Sequence, residues 1–131
     1  VKLPHLPAWT AARQRAAARY TDRLRAIDAI STPTIAEGRD HVWHLYVVRH
    51  EARDALAQYL GAAGIQTVVS YPVALPFLTA YARFDHQPAD FPNAHANQSR
   101  ILSLPIFPEL QETQIARICH VIGDFVRQQR V

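Results

Sequence analysis

Seven histidines, one cysteine, one lysine and a scatter of carboxylates are the groups of this 131-residue chain that could act on a substrate. His41 and His44 stand three apart in an apolar run that reads as a strand, so their side chains point to opposite faces and cannot share a metal ion. His86 and His95 fall in a predicted loop and a predicted short helix, and nothing fixes their separation. Cys119-His120 lies on a predicted amphipathic helix with the thiol on the apolar side, where cysteine packs as a small hydrophobe rather than attacking as a thiolate. A Cys–His hydrolase also needs a third group to orient the imidazole and an oxyanion loop, and neither pattern is present. The four glycines are scattered singly, so no glycine-rich phosphate cradle exists.

The elements that would position these groups read as one continuous α+β unit. Trp9, Ala12, Ala16, Tyr20, Leu24 and Ile27 recur at three- and four-residue steps, predicting one long amphipathic helix over 7–29. Pro7 is tolerated in its first turn, where a missing N–H costs nothing. Val42 to Val48 is a nearly unbroken apolar run and predicts a strand covered on both faces. Residues 51–63 carry Ala52, Leu56, Tyr59, Leu60 and Ala63 on one helical face, and Gly64 supplies a left-handed cap. Ile65 to Val69 predicts a second strand and Ile101 to Leu104 a third, with a short helix over 90–99 between them. Pro72 and Pro76 keep the intervening segment turn-like. Ile115, Ile118, Cys119, Ile122, Phe125 and Val126 mark the core face of a final helix, whose start near Gln111 lacks a good capping side chain. Trp43 and Tyr46 are expected to be packing residues, and His44 a buried structural histidine.

Composition bounds the function. At 49% hydrophobic and 19% charged the chain is ordinary for a folded domain. No apolar run approaches the roughly 18–20 residues of a membrane span, and a single cysteine excludes an internal disulfide. A cytoplasmic setting fits both. The net charge of +3 gathers on the first helix, where Arg13, Arg15, Arg19 and Arg23 lie on or near one face. Without a groove-reading motif or interleaved aromatic residues, that face reads as solvated rather than as a nucleic-acid surface.

Short motifs in a fixed order carry more. Val1-Lys2-Leu3-Pro4-His5-Leu6 with Trp9 and Arg13 is followed by His41-Val-Trp-His-Leu-Tyr-Val-Val48, and then by Arg53-Asp54 to Leu60 and Gly64-Ile65-Gln-Thr67. Tyr71-Pro72, Ala80-Tyr81, Phe91-Pro92, Leu102-Ser-Leu-Pro-Ile106 and Gln114-Ile115 complete the series. This order resembles the carboxy-terminal small domain of the DegT/DnrJ/StrS family, pyridoxal-phosphate-dependent sugar aminotransferases of fold type I. The resemblance implies a long connecting helix over 1–30, then a small domain over 31–131. That domain would hold a three-stranded, mainly antiparallel sheet with helices packed on one face.

The resemblance further implies transfer of an amino group, commonly from glutamate, to a keto-sugar attached to a nucleotide. The Schiff-base lysine would come from a large domain preceding Val1, because the only lysine here is Lys2. Pyridoxal phosphate is thus expected in the full-length enzyme and not on this chain, which would be inactive alone. The missing large domain and a second copy of the full-length enzyme are the implied partners. After the second predicted strand the family commonly has His-Tyr-Pro followed by Pro-Leu-His. Here Ser70 replaces the first histidine, Ala74 the later proline and Pro76 the second histidine, while Tyr71 and Pro72 are kept. Tyr71 is the first candidate for a substrate contact and Ser70 the second, against a reading of Tyr71 as a core ring under the Pro72 turn. The alternative at the level of the whole chain is a non-enzymatic remnant that binds a partner or dimerises. Exposed Trp9, Tyr20 and Leu24 would mark the interface in either case.

Overall fold

A computed structural model describes residues 1–129. After a single turn of 3-10 helix at Leu3–His5, α1 spans Leu6–Leu24, with Pro7 in its first turn as expected. It stops five residues short of the predicted end. The Ile27 N–H bonds the Leu24 carbonyl and the Ile30 N–H the Ile27 carbonyl, tightening the chain into successive turns that drop Ile30 into the core. Strand β1 spans Tyr46–Arg49, α2 Arg53–Ala62, α3 Pro92–Gln98, β2 Ile101–Leu104 and α4 Glu112–Gln128. Between α2 and α3 the chain makes two short 3-10 segments, Leu75–Phe77 and Thr79–Phe84, in keeping with its prolines.

The sheet has two strands, not three. β1 pairs antiparallel with β2, with Tyr46 opposite Leu104 and Arg49 opposite Ile101. The segment predicted as the middle strand, Ile65 to Val69, contributes a single bridge, Val68 opposite Ser103. Its failure to extend has a local cause. Gly64, at φ +76°, turns the chain out of α2, and the Ile65 N–H is spent on the Leu60 carbonyl in closing that helix. Pro72 has no N–H to continue a ladder beyond Val69. A second lone bridge, Ser31 with Arg49, flanks the other edge of β1.

β1 is also shorter and more one-sided than its apolar run suggests. Trp43 adopts φ +51°, its N–H taken by His41 Nδ1 at 2.9 Å, so a side chain closes a turn where a ladder was expected. Along Tyr46–Arg49 burial alternates, with Tyr46 and Val48 inward, so one face of the strand stays open.

The core lies between α1, α4, α2 and the inner face of the ribbon. Tyr20, Leu24, Tyr46, Val48, Leu56, Leu60, Leu102, Ile115 and Ile122 are completely buried in it. The Tyr20 and Tyr46 rings stack with centroids 4.9 Å apart, joining α1 to β1. The six residues of the predicted α4 stripe are all buried. The start of that helix is better closed than its sequence suggests, because the Gln114 side chain accepts the Gln111 N–H at 2.9 Å.

A two-stranded ribbon with one outlying bridge predicts unequal costs of truncation. Leu102→Ala, in β2 at 0% exposure, should lower unfolding free energy by about 2–5 kcal/mol in urea titrations. Val68→Ala, at 60% exposure, should stay within about 0.5 kcal/mol. Equal losses at the two positions would restore a third buried strand.

Candidate functional site

Ser70 and Tyr71 sit on a loop fastened at both ends. Upstream, Val68 and Ser103 exchange backbone hydrogen bonds of 2.8 and 3.2 Å. Downstream, the Ala74 N–H donates to Gln98 Oε1 at 2.9 Å, tying the loop to the end of α3. That end is in turn held by Arg53. Its guanidinium donates to the Ile101 carbonyl at 2.9 Å and the Gln98 carbonyl at 3.3 Å, with Nε 2.6 Å from Asp54. Arg53 is itself buried, and a planar fork that meets two carbonyls at once explains why an arginine stands there.

Between these ties Ser70 is half-buried and Tyr71 is 79% exposed. Tyr71 is therefore no core ring under the Pro72 turn. Its phenol faces outward, able to donate or accept one hydrogen bond. The loop beyond it is unusually apolar for a surface. Leu75, Pro76, Tyr81, Phe84 and His86 line an open cleft of about 270 Å³. The Phe84 and His86 rings stack at 5.6 Å, the Arg83 guanidinium lies 4.7 Å from the Phe84 centroid, and Phe91 meets His86 edge-on at 5.0 Å. Val73, Leu75, Phe84 and Phe91 are all exposed. Contiguous apolar patches on a surface are uncommon and characterise interaction sites and ligand grooves.

The exposed stripe expected along α1 is not observed. Tyr20 and Leu24 are fully buried within this unit and Trp9 is half-buried, so that stripe is used internally. Arg13 on the same helix turns inward, donating to the Ile106 carbonyl at 3.0 Å and, more distantly, to those of Trp43 and His44. Arg19 and Arg23 both lie 3.4 Å from Glu112, and Arg25 pairs with Asp22 at 2.9 Å. Four of the basic residues on or after this helix thus have partners, which weakens a polyanion surface further.

The histidines divide differently from expectation. His44 is exposed rather than buried; its peptide carbonyl, not a buried ring, meets Arg13. It lines a groove of about 190 Å³ with Leu6, Trp9, Thr10, Arg13, Val42 and Pro108. The buried histidine is His50, 8% exposed, which periodicity did not single out. A cavity of about 580 Å³ was also not foreseen. It lies between α1 and the 32–43 loop, lined by Gln14, Thr21, Asp22, Thr34, Asp40 and His41 among others. It has no hydropathy signature, because its walls come from an irregular loop. Among the described residues no group of three or more His, Cys, Asp or Glu could hold a metal ion, and no helix is long and apolar enough to cross a membrane.

A Schiff-base lysine needs an enclosed amine beside phosphate and pyridinium partners, whereas Lys2 is exposed at the first 3-10 turn. Cys119 is no substitute nucleophile. Burial pushes its thiol up to about 11, with nearby Arg23 pulling only weakly the other way. Burial likewise pushes the Tyr46 phenol up to about 12, partly offset by its hydrogen bond with Thr21, and raises that of Tyr20.

The family can now be stated from comparison with known proteins. The profile of the DegT/DnrJ/EryC1/StrS aminotransferase family matches residues 1–123, and the chain belongs to that family. It is 39% identical over 129 residues to a protein of Geobacillus stearothermophilus named "Pleiotropic regulatory protein", covering 97% of this chain and 35% of that one. It is 35% identical over 128 residues to the dTDP-3-amino-3,4,6-trideoxy-alpha-D-glucose transaminase of Streptomyces venezuelae, covering 98% and 34% respectively. Among solved structures, S. venezuelae DesV in complex with a ketimine intermediate superposes with a TM-score of 0.90 at 36% identity, covering 95% of this chain and 34% of that one. The chain therefore spans about a third of the length of the relatives it matches. Pyridoxal phosphate is the cofactor of the family, and a solved relative is known in both its pyridoxal- and pyridoxamine-phosphate forms.

The raised thiol has a consequence for stability. The unfolded chain releases the Cys119 proton near the ordinary value of 9.0, whereas the folded chain keeps it until about 11. Folding stability should accordingly fall as pH rises through that window. Urea titrations should show a smaller alkaline loss for Cys119→Ala than for the parent. A slope unchanged by the substitution would mean that the thiol is not buried in its neutral form.

Proposed function

We propose that this chain is the carboxy-terminal part of a pyridoxal-phosphate-dependent aminotransferase acting on a nucleotide-linked keto-sugar, and that it is not catalytic by itself. In this reading residues 1–30 connect to the large domain and 31–131 form the small domain of a cytoplasmic enzyme that works as a homodimer. The observation that carries it is the superposition on DesV at TM-score 0.90 with 36% identity, over 95% of this chain and only 34% of that one. The exposure of Lys2 supports the second half of the reading, because the chemistry of an enclosed amine has to be supplied from elsewhere.

What these residues contribute is a wall. Val68–Ser103, Ala74–Gln98 and the buried Arg53 hold the 70–74 segment rigidly against β2 and α3. A positioned loop of this kind orients a bound ligand without doing acid–base work. Tyr71, exposed at the crest, would hydrogen-bond the sugar or its phosphates, with Ser70 a weaker second contact. Where the family commonly has histidines, Ser70 offers one small hydroxyl and Pro76 no side-chain hydrogen bond, so the preferred sugar should differ.

The test is to join Val1 in register to the large domain of the S. venezuelae transaminase and to assay amino transfer from glutamate to a dTDP-linked keto-sugar. The joined protein should turn over and the 131-residue chain alone should not. Tyr71→Phe in the joined protein should raise KM for the sugar by about tenfold with little change in kcat, as expected for loss of one hydrogen bond made throughout the reaction. A folded, cofactor-loaded joined protein without transaminase activity would defeat the assignment. An unchanged KM in an active Tyr71→Phe protein would remove Tyr71 from the substrate side.

A further inference from the structure

At the end of the ribbon where α2 begins, a cavity of about 190 Å³ is lined by Ala29, Ser31, Arg49, His50, Glu51 and Arg100. None of these residues takes part in the loop that presents Tyr71. Three backbone ties build its walls. Ser31 and Arg49 exchange N–H···O bonds of 3.0 Å, and the His50 N–H donates to the Arg100 carbonyl at 3.0 Å. The pocket is therefore rigid at its base and not a gap between mobile side chains.

Its polar groups are mostly donors. His50 is 8% exposed, held edge-on to Phe125 at 5.5 Å, and its Nδ1 accepts the Ala52 N–H at 3.0 Å. An imidazole whose Nδ1 accepts carries its proton on Nε2, and that N–H is the donor His50 can offer to the cavity. Arg100 is anchored through Nε by Glu51 at 3.0 Å, which leaves its terminal nitrogens to serve as donors. The Arg49 guanidinium has no ion-pair or side-chain hydrogen-bond partner among the described residues, although a free fork on a cavity wall ordinarily finds a carboxylate. The one carboxylate present, Glu51, is already engaged by Arg100. Two guanidinium groups, one imidazole N–H and one neutralised carboxylate leave the cavity with an excess of positive charge and of donors.

We propose that this cavity is a binding site for a phosphate-class oxyanion, gripped by the Arg49 fork with His50 Nε2–H and Arg100 completing the donor set. At about 190 Å³ it is smaller than the roughly 300–1,000 Å³ of sites that enclose drug-sized ligands. It therefore takes a single oxyanion group and not a whole nucleotide-linked sugar. The site stands independently of the aminotransferase assignment. Its phosphate is either free inorganic phosphate or a terminal phosphate of a nucleotide, and the two are separable by experiment.

The unfolding temperature of the 131-residue chain is followed against inorganic phosphate, and separately against UDP, at ionic strength held constant with sodium chloride. A ligand of the folded state raises that temperature in a saturable way. Phosphate should do so for the parent chain. Arg49→Ala should weaken the apparent affinity by about tenfold or more, and Arg49→Lys should fall between, since it keeps the charge and loses the fork. Arg39→Ala, at an exposed turn away from the cavity, should match the parent. Arg49 is exposed, so its truncation leaves the core intact. Tighter binding of UDP, still lost in Arg49→Ala, would identify the nucleotide phosphate as the source, and tighter binding of inorganic phosphate the free ion. No saturable rise with either ligand, or equal rises in parent and Arg49→Ala, overturns the proposal.

Discussion

One pair of backbone hydrogen bonds, between Val68 and Ser103, decides where the outward-facing loop leaves the core. Its position is inherited from deeper contacts. Ser103 sits in β2, which is registered on β1, and β1 is pinned by Tyr46 stacked on Tyr20 of α1. α1 and α4 close the other side through Ala17, Leu24, Ile115 and Ile122. Because β2 is continued toward Val68 by a single bridge, the loop from Ser70 onward is released from the sheet immediately and its aromatic residues turn outward. A full third strand would have carried alternate residues of this segment back into the core.

That release explains the unusual surface. Tyr71, Leu75, Phe84 and Phe91 are exposed, while Ala16, Ala17, Tyr20 and Leu24 of α1 and the whole apolar stripe of α4 are buried. The unit thus satisfies its own core and still shows a contiguous apolar face on one loop. Such a face is costly to leave in water. The chain spans about a third of the length of the relatives it matches. Tyr20 and Leu24 of α1, by contrast, are buried within this unit.

Much of this was legible in the chain. The α4 stripe, the α2 face with Gly64 at its end, Pro7 in the first turn and the proline-governed segment after Tyr71 all follow from spacing and turn chemistry, and all are observed. What stayed hidden was decided by single hydrogen bonds. His41 closing on the Trp43 N–H shortens β1, and Gln114 closing on the Gln111 N–H repairs the start of α4. The Ile65 N–H spent on Leu60 removes the middle strand. None of these leaves a mark on hydropathy. His44 lies in the turn before β1 and is exposed, whereas His50 follows β1 and is buried against Phe125. Arg53 as a buried clamp and the donor-lined cavity at Arg49 are products of long-range approach, and no local pattern announces them.

The central claim is that this unit shapes a substrate wall while its own amine holds no aldehyde cofactor. It is tested most directly by treating the 131-residue chain with pyridoxal phosphate and borohydride and locating any stable adduct by mass spectrometry. No stoichiometric adduct at a unique position and no transamination are expected. One cofactor fixed per chain on Lys2, with turnover of a keto-sugar, would contradict it.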